Sequence, residues 1–447
     1  MKVNSSIFKS YDIRGIYPQE INKKTAFKIG RAFIDYIKGR TVVVGRDMRI
    51  SSPELFEGLA EGIRESGADL YNLGEVPTEV LYFVMGRNDY EGGIMITASH
   101  NPKEYNGFKM MKRSPEGFSM VRGKNLLEII KKDSFVSSEK RGELKKLNVI
   151  SEYLEYLFSK ISLKGIKPLR VVFDAGNGMA GKILPLIQSK LPIRPINLNF
   201  ELDGNFPAHP SNPLAEGSLQ QISQKIKEEK ADLGFIFDGD ADRIFLIDEQ
   251  GKMVPADITL LFLAKYILKE NPGTAIAYNT ICSKAVPEFV KKWGGKPLRT
   301  KVGFVNIREE LLKNEGLLGG EASGHYCFKE NFYGDSSFLT LLILLNIFSN
   351  SNRKVSEMTK EFLLYAKSPE INFEVDDKEK ILEKIKEEYS DGKQDYLDGI
   401  TVEYSDWWFN LRPSQTEPLL RLTIEANTEE LLEKKKRELI EFINNNS

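Results

Sequence analysis

Three aspartates in the hexapeptide DGDADR, Asp238, Asp240 and Asp242, stand at alternate positions. Carboxylates this close repel one another unless a cation sits among them. Oxygen ligands alone select a hard divalent ion, Mg²⁺ above all where phosphate is handled. Such a site keeps coordination positions free for a phosphate oxygen. Arg243, the next residue, has the forked geometry to hold that phosphate. An ordinary solvated acidic loop is the plain alternative, and the apolar flanks LGFIF and IFLID argue against it. An EF-hand fits in one respect, because Glu249 is the twelfth residue counted from Asp238. It fails in two: Arg243 holds the sixth position, where that loop needs glycine, and the flanks read as strands.

The second chemical stretch is TASHNP, residues 97–102, which follows the apolar run Ile94-Met95-Ile96. A serine hydroxyl is a poor nucleophile unless it is activated or carries a group for transfer. Ser99 lacks the G-x-S-x-G elbow of a hydrolase, and an adjacent His100 does not by itself supply general-base geometry. Ser99 as a mere turn cap before NPKEYNG remains the bland reading. The sharper one pairs Ser99 with the aspartates. A phosphoryl group on its hydroxyl would offer the metal an oxygen, and the metal would spread the charge of transfer.

Elements able to position these residues recur along the chain. TVVVGRD (41–47), GGIMITASHN (92–101), LRVVFDAGNG (169–178), DLGFIFDGDADR (232–243) and TAIAYNT (274–280) are short apolar runs ending in glycine and polar residues. Helix-like stretches such as SPELFEGLAEGIRESG (52–67) lie between them. Alternation of this kind predicts α/β units with largely parallel sheets, whose ligands bind beyond the carboxyl ends of the strands. After AKSPEINFEV (366–375) the pattern becomes a charged helix, antiparallel strands and a final helix. The expected architecture is three α/β domains with mixed, largely parallel sheets plus a smaller C-terminal α+β domain. The boundaries are expected at 1–148, 149–249, 250–366 and 367–447.

The chain of 447 residues carries 63 basic and 64 acidic side chains, so no global field favours nucleic acid or an anionic membrane. Two cysteines, Cys282 and Cys327, build no disulfide framework and suit a reducing compartment. The start, MKVNSSIFKSYDIRG, lacks the apolar core of a signal peptide, and no run reaches transmembrane length. The expectation is a cytoplasmic protein with small-molecule partners and neither nucleic acid nor membrane among them.

TASHNP together with DGDADR resembles the α-D-phosphohexomutase family. GEASGH (320–325) is similar to its sugar-recognition loop and RPSQTEP (412–418) to its phosphate-binding loop. Softer matches are YDIRG (11–15), GRDMR (45–49), YNGFK (105–109), DAGNGMAG (174–181) and RTKVG (299–303), in the family's order along nearly the whole chain. The resemblance implies four domains around a central cleft and a resting phosphoserine at Ser99. One Mg²⁺ per chain would be held by Asp238, Asp240, Asp242 and a phosphoserine oxygen. His100, Arg243, Arg14 and Lys109 would surround the phosphoryl group, Lys109 handling the proton of the sugar hydroxyl. That role requires a depressed lysine pKa. Glu321, Ser323 and His325 would read the sugar, with His325 as a satisfied structural histidine the alternative. Arg412, Ser414, Gln415, Thr416 and Arg421 would grip the retained phosphate. The implied reaction exchanges hexose 1-phosphate and 6-phosphate through a bisphosphorylated sugar, with sugar bisphosphate as activator and a monomer or homodimer as the working form. Hinge motion about 366–375 would open and close the site.

Departures from the family pattern fall on the sugar side. Ile281 and Phe304 are apolar where relatives often carry lysine or arginine and histidine; Gln415 lengthens an amide arm; Ala322 decides nothing. The stretch WFNLRPSQTEPLLRL leans toward the phosphomannomutase branch. A phosphoglucosamine mutase, a non-catalytic sugar-phosphate sensor and a metal-dependent phosphatase with an aspartate nucleophile stay open as alternatives.

Overall fold

A computed structural model of the chain describes residues 3–136, 138–162, 165–414 and 419–446. The chain gathers into two compact units. One runs from the N-terminus to Val254 and takes in Phe328–Val355; the other comprises Pro255–Cys327 and the chain from Ser356 onward.

Two sheets organise the first unit. In the larger, Thr41–Arg46 lies parallel between Asp69–Glu75 and Gly92–Ile96, with Leu144–Lys146 parallel at the edge. The long strand Tyr105–Ser114 runs antiparallel to Gly92–Ile96 and to Ile13–Ile16. In the smaller sheet Arg170–Asp174 pairs in parallel with Leu233–Phe237 and Arg194–Leu198, while Ile244–Ile247 returns antiparallel. Val42, Val44, Ile94 and Ile96 are fully buried because helices cover their faces, which is why these strands read as unbroken apolar runs. Helix Lys23–Ile37 starts on Asn22, whose side chain accepts from the N–H groups of Lys24 and Thr25, and helix Ser52–Glu65 starts with proline in its first turn.

The second unit holds a parallel layer, Lys296–Thr300, Ala275–Asn279 and Leu318–Gly320. It also holds an antiparallel sheet in which Leu419–Ala426 pairs with both Trp407–Pro413 and Ile371–Glu374. The mixed α/β sheets followed by a smaller antiparallel domain are the architecture expected from the sequence. Within the expected hinge, the Lys367 ammonium is ion-paired with Asp257. Among the described residues, no helix is long and apolar enough to cross a membrane.

Helix Ser337–Ser349 (SFLTLLILLNIFS) is apolar nearly all round and buried along its length, as such a composition requires. Its N-terminus meets Glu79, a fully buried carboxyl on helix Thr78–Arg87. Ser336 Oγ donates to Glu79 Oε2, and Phe338 N donates to Oε1 at 3.3 Å. Ser337 Oγ lies 2.7 Å from the Ala241 carbonyl and 3.1 Å from Glu79 Oε1. A hydroxyl has one proton. Ser337 Oγ can give that proton to the Ala241 carbonyl or to Glu79 Oε1, but not to both at once. Burial pushes the Glu79 pKa up to about 8, the surrounding donors pulling it back only in part.

A carboxyl whose folded-state pKa is raised stabilises the fold fully below its unfolded value and loses that contribution as pH climbs to the folded value. Replacing Glu79 by glutamine keeps the shape and removes the titration. Wild-type stability should therefore fall relative to Glu79→Gln between pH 5 and 8, by about 1.4 kcal/mol per pH unit at most. Denaturation curves across that range check it; parallel pH profiles would show Glu79 ionised throughout.

Candidate active site

Two strand ends build the centre of the first unit. Gly92–Ile96 delivers Thr97–Asn101, and Leu233–Phe237 delivers Asp238 directly. Asp238 and Asp240 are fully buried and Asp242 nearly so. Carboxylate oxygens of the three lie within 4.8 Å of one another. The Asp238 Oδ1 atom accepts from the N–H groups of Asp242 and Arg243, each at 3.1 Å. Its Oδ2 accepts from Ser99 Oγ at 2.9 Å. The serine expected to carry the transferred group thus meets the aspartate loop directly, 139 positions along the chain.

Ser99 adopts a left-handed backbone with φ of 51°, and its N–H donates to Thr97 Oγ1 at 2.9 Å. That conformation is costly for a side-chain-bearing residue and persists only where the surroundings impose it. Gly239 helps: a Cβ at that position would come within 2.8 Å of the Ser99 carbonyl oxygen. His100 Nδ1 lies 3.3 Å from Ser99 Oγ. Arg14, on strand Ile13–Ile16, donates to the Ala98 carbonyl at 3.2 Å and to Asn101 Oδ1 at 2.5 Å, and pairs with Asp12 at 2.8 Å. Arg243 Nε stands 3.9 Å from Asp238 Oδ2.

Lys109 departs from its expected electrostatics. Its Nζ donates to Asp240 Oδ2 at 2.7 Å and also to Asp242 Oδ2. Burial alone would lower its pKa, but the charges of Asp240 and Asp242 outweigh burial and hold it above the ordinary lysine value. Lys109 is therefore a firmly charged ammonium here. The reason is that its nearest neighbours are the aspartates themselves. Asp238 shows the strain of the cluster: burial first, then repulsion from Asp242 and Asp240, hold its pKa well above the usual carboxylate range. Asp240 Oδ1 is buried with no hydrogen-bond partner. Crowded acidic oxygens, one of them orphaned, fit a hard divalent cation.

Two positioning residues carried no assigned role in the sequence reading. Arg49, in the GRDMR segment, is wholly buried and donates to four carbonyls of the Ser99 turn: Ser99 at 2.8 Å, Asn101 at 2.6 Å, Pro102 at 2.7 Å and Tyr105 at 3.0 Å. Asp47 pairs with Arg49 at 3.2 Å, and the Phe206 ring lies 5.0 Å from the guanidinium carbon. Thr78 Oγ1 donates to Asp240 Oδ2 at 2.5 Å, and its N–H to the Asp240 carbonyl at 3.2 Å. An arginine just past a buried strand was the only signal for the first. Nothing in VPTE pointed to the second.

In the second unit Glu321 follows strand Leu318–Gly320. Its Oε1 accepts from Gly303 N at 2.6 Å and Asn279 Nδ2 at 3.1 Å, and Oε2 from Ser323 Oγ at 3.3 Å. His325 closes the same turn, its carbonyl accepting from Glu321 N at 3.0 Å. Ile281 is buried, so an apolar side chain suits that position as the chain folds. Arg412 and Arg421 are directly opposed on neighbouring antiparallel strands, and Ser414 N donates to the Leu419 carbonyl at 2.8 Å. Gln415 and Thr416 lie outside the described residues.

Lysine keeps the charge of Arg49 but cannot span four carbonyls. In Arg49→Lys, amide hydrogen exchange over residues 98–106 should quicken roughly 10- to 100-fold, with a stability loss of about 2–4 kcal/mol. Unchanged protection there would mean that the Ser99 turn is held by other contacts.

Comparison with known proteins agrees with this geometry. Residues 5–137 match the family model for phosphoglucomutase/phosphomannomutase, alpha/beta/alpha domain I; residues 151–251 match domain II, 255–365 domain III, and 370–442 the C-terminal domain. The chain is 37% identical to a phosphomannomutase of Methanocaldococcus jannaschii, over 98% of this chain and 97% of the relative. It is 36% identical to a phosphomannomutase/phosphoglucomutase of Pseudomonas aeruginosa, covering 96% and 94%. A crystal structure of a phosphoglucomutase/phosphomannomutase family protein from Burkholderia thailandensis superposes with a TM-score of 0.91 at 32% identity, covering 99% of this chain and 98% of that one. Strand-end serine, buried aspartate triad and four matched domains lead to one conclusion: the chain belongs to the phosphoglucomutase/phosphomannomutase family, the α-D-phosphohexomutases.

Proposed function

We propose that the chain is a Mg²⁺-dependent phosphohexomutase interconverting hexose 1-phosphate and 6-phosphate, with mannose and/or glucose as the sugar. The observation that carries this reading is the 2.9 Å contact between Ser99 Oγ and Asp238 Oδ2. It puts a hydroxyl able to bear a phosphoryl group against an acidic cluster suited to a divalent ion.

Asp238, Asp240 and Asp242 would hold the ion. Bound there, Mg²⁺ supplies charge stabilisation to the phosphoryl group and offsets the aspartate charges that hold Lys109 protonated. The remaining work falls to side chains. Ser99 Oγ gives its phosphoryl group to the free sugar hydroxyl: the serine P–O bond breaks, the sugar O–P bond forms, and Lys109 relays the hydroxyl proton to the serine oxygen left behind. Arg14, Arg243 and His100 surround the transferred group with hydrogen-bond donors. The bisphosphorylated sugar turns over and returns its other phosphate to Ser99 Oγ. Glu321 and Ser323 orient the sugar by its hydroxyls. Arg412, Arg421 and the RPSQTEP segment hold the phosphate that is not being transferred. Burial of Ser99, only 1% exposed, keeps water from competing for its phosphoryl group.

Ser99→Ala should abolish mutase activity, and EDTA should silence the wild-type chain, in a coupled assay of mannose-, glucose- and glucosamine-1-phosphate with a trace of bisphosphate activator. Full turnover by Ser99→Ala would end the proposal. The intact mass of the wild type should also run ~80 Da high and fall to the bare value in the variant. An absence of both mass shift and turnover favours a sugar-phosphate sensor.

A further inference from the structure

Arg412 and Arg421 pose an electrostatic problem that the strand register creates. They are Cα partners across Trp407–Pro413 and Leu419–Ala426, so two like charges face each other. Directly opposed like charges destabilise a sheet. The Arg412 side chain is only 4% exposed, which leaves little water to screen the repulsion. The Glu370 carboxylate spans the pair: its Oε2 accepts from Arg412 Nη2 at 2.6 Å, and Oε1 from Arg421 Nη1 at 3.1 Å. Glu370 lies immediately before strand Ile371–Glu374, which pairs with the Arg421 strand and places Asn372 opposite Arg421. The backbone thus fixes where the carboxylate stands.

We infer that Glu370 is a positioning residue that holds the two arginines parallel for recognition of the substrate's retained phosphate. This rests on the mutase reading, in which Arg412 and Arg421 take that phosphate. The bridge uses one oxygen and one N–H per arginine, and a guanidinium has five N–H donors. Arg412 Nε is buried with no hydrogen-bond acceptor, which leaves that guanidinium a donor for a second anion. A glutamine cannot replace the bridge. It offers one acceptor oxygen, and its NH₂ group would point at the other guanidinium, freeing the arginines to splay.

The test titrates mannose 6-phosphate into Glu370→Gln, Glu370→Asp and Arg412→Lys by calorimetry and compares KM and kcat in the mutase assay. Glu370→Gln should raise both Kd and KM about tenfold, a loss of ~1.4 kcal/mol, with kcat within about threefold of wild type. Glu370→Asp keeps the charge but is too short to bridge both arginines, so it should show a smaller loss. Unchanged or tighter binding in either Glu370 variant, alongside weakened binding in Arg412→Lys, overturns the inference and leaves the mutase reading standing. Wild-type affinity in Arg412→Lys removes the phosphate-loop assignment itself.

Discussion

Three buried carboxylates that cannot share one small volume uncompensated are the constraint around which the first unit is arranged. Burial raises the cost of each charge, and proximity raises it again. The fold meets this cost with donors drawn from different parts of the chain. Backbone N–H groups serve Asp238, Thr78 serves Asp240, and the Lys109 ammonium reaches Asp240 and Asp242. Asp238 keeps a raised pKa even so, and Asp240 keeps one oxygen without a partner. Residual electrostatic demand of this kind is what gives a site its affinity for a divalent ion.

An acidic cluster alone does no chemistry, and the second constraint is the approach of Ser99. Its backbone takes a conformation that side-chain-bearing residues rarely adopt. Arg49 explains how this persists. Four carbonyls converging on one guanidinium make a turn that cannot relax without stranding a buried charge. A contribution from the smaller sheet's own loop completes the fixture, with Ser211 Oγ donating to the Asn101 carbonyl at 2.9 Å. The Ser99 turn is thus gripped by its own sheet and by the residues that follow the neighbouring one.

The second unit solves a related problem with the opposite charge. There the crowded groups are arginines, and the Glu370 carboxylate bridges them. The acidic cluster and the arginine pair share one logic. Like charges are brought together by the backbone, and groups of opposite charge are set against them. Glu321 differs, because its carboxylate is taken up largely by Gly303 and Asn279 within its own unit. Only the Ser323 side of it is shared with a hydroxyl.

Much of this was legible in the sequence for a local reason. Apolar runs ending in glycine and acid foretell strand ends, and Ser99, Asp238 and Glu321 do sit at or just beyond strand ends, since side-chain alternation and turn chemistry act over a few residues. The aspartate spacing announced an acidic cluster with a demand for positive charge for the same reason: repulsion among near neighbours needs no tertiary information. Distance in sequence hid the rest. Nothing in GRDMR says that Arg49 would find four carbonyls 50 to 56 residues away, and nothing in VPTE places Thr78 against an aspartate 162 residues on. The sign of the Lys109 shift also needed the fold, because it depends on which charges end up within hydrogen-bond reach. Residue type and short spacing determined what chemistry this chain can perform. Strand register and burial decided which groups meet to perform it, because Coulomb and hydrogen-bond energies depend on separations in space that the order of residues does not contain.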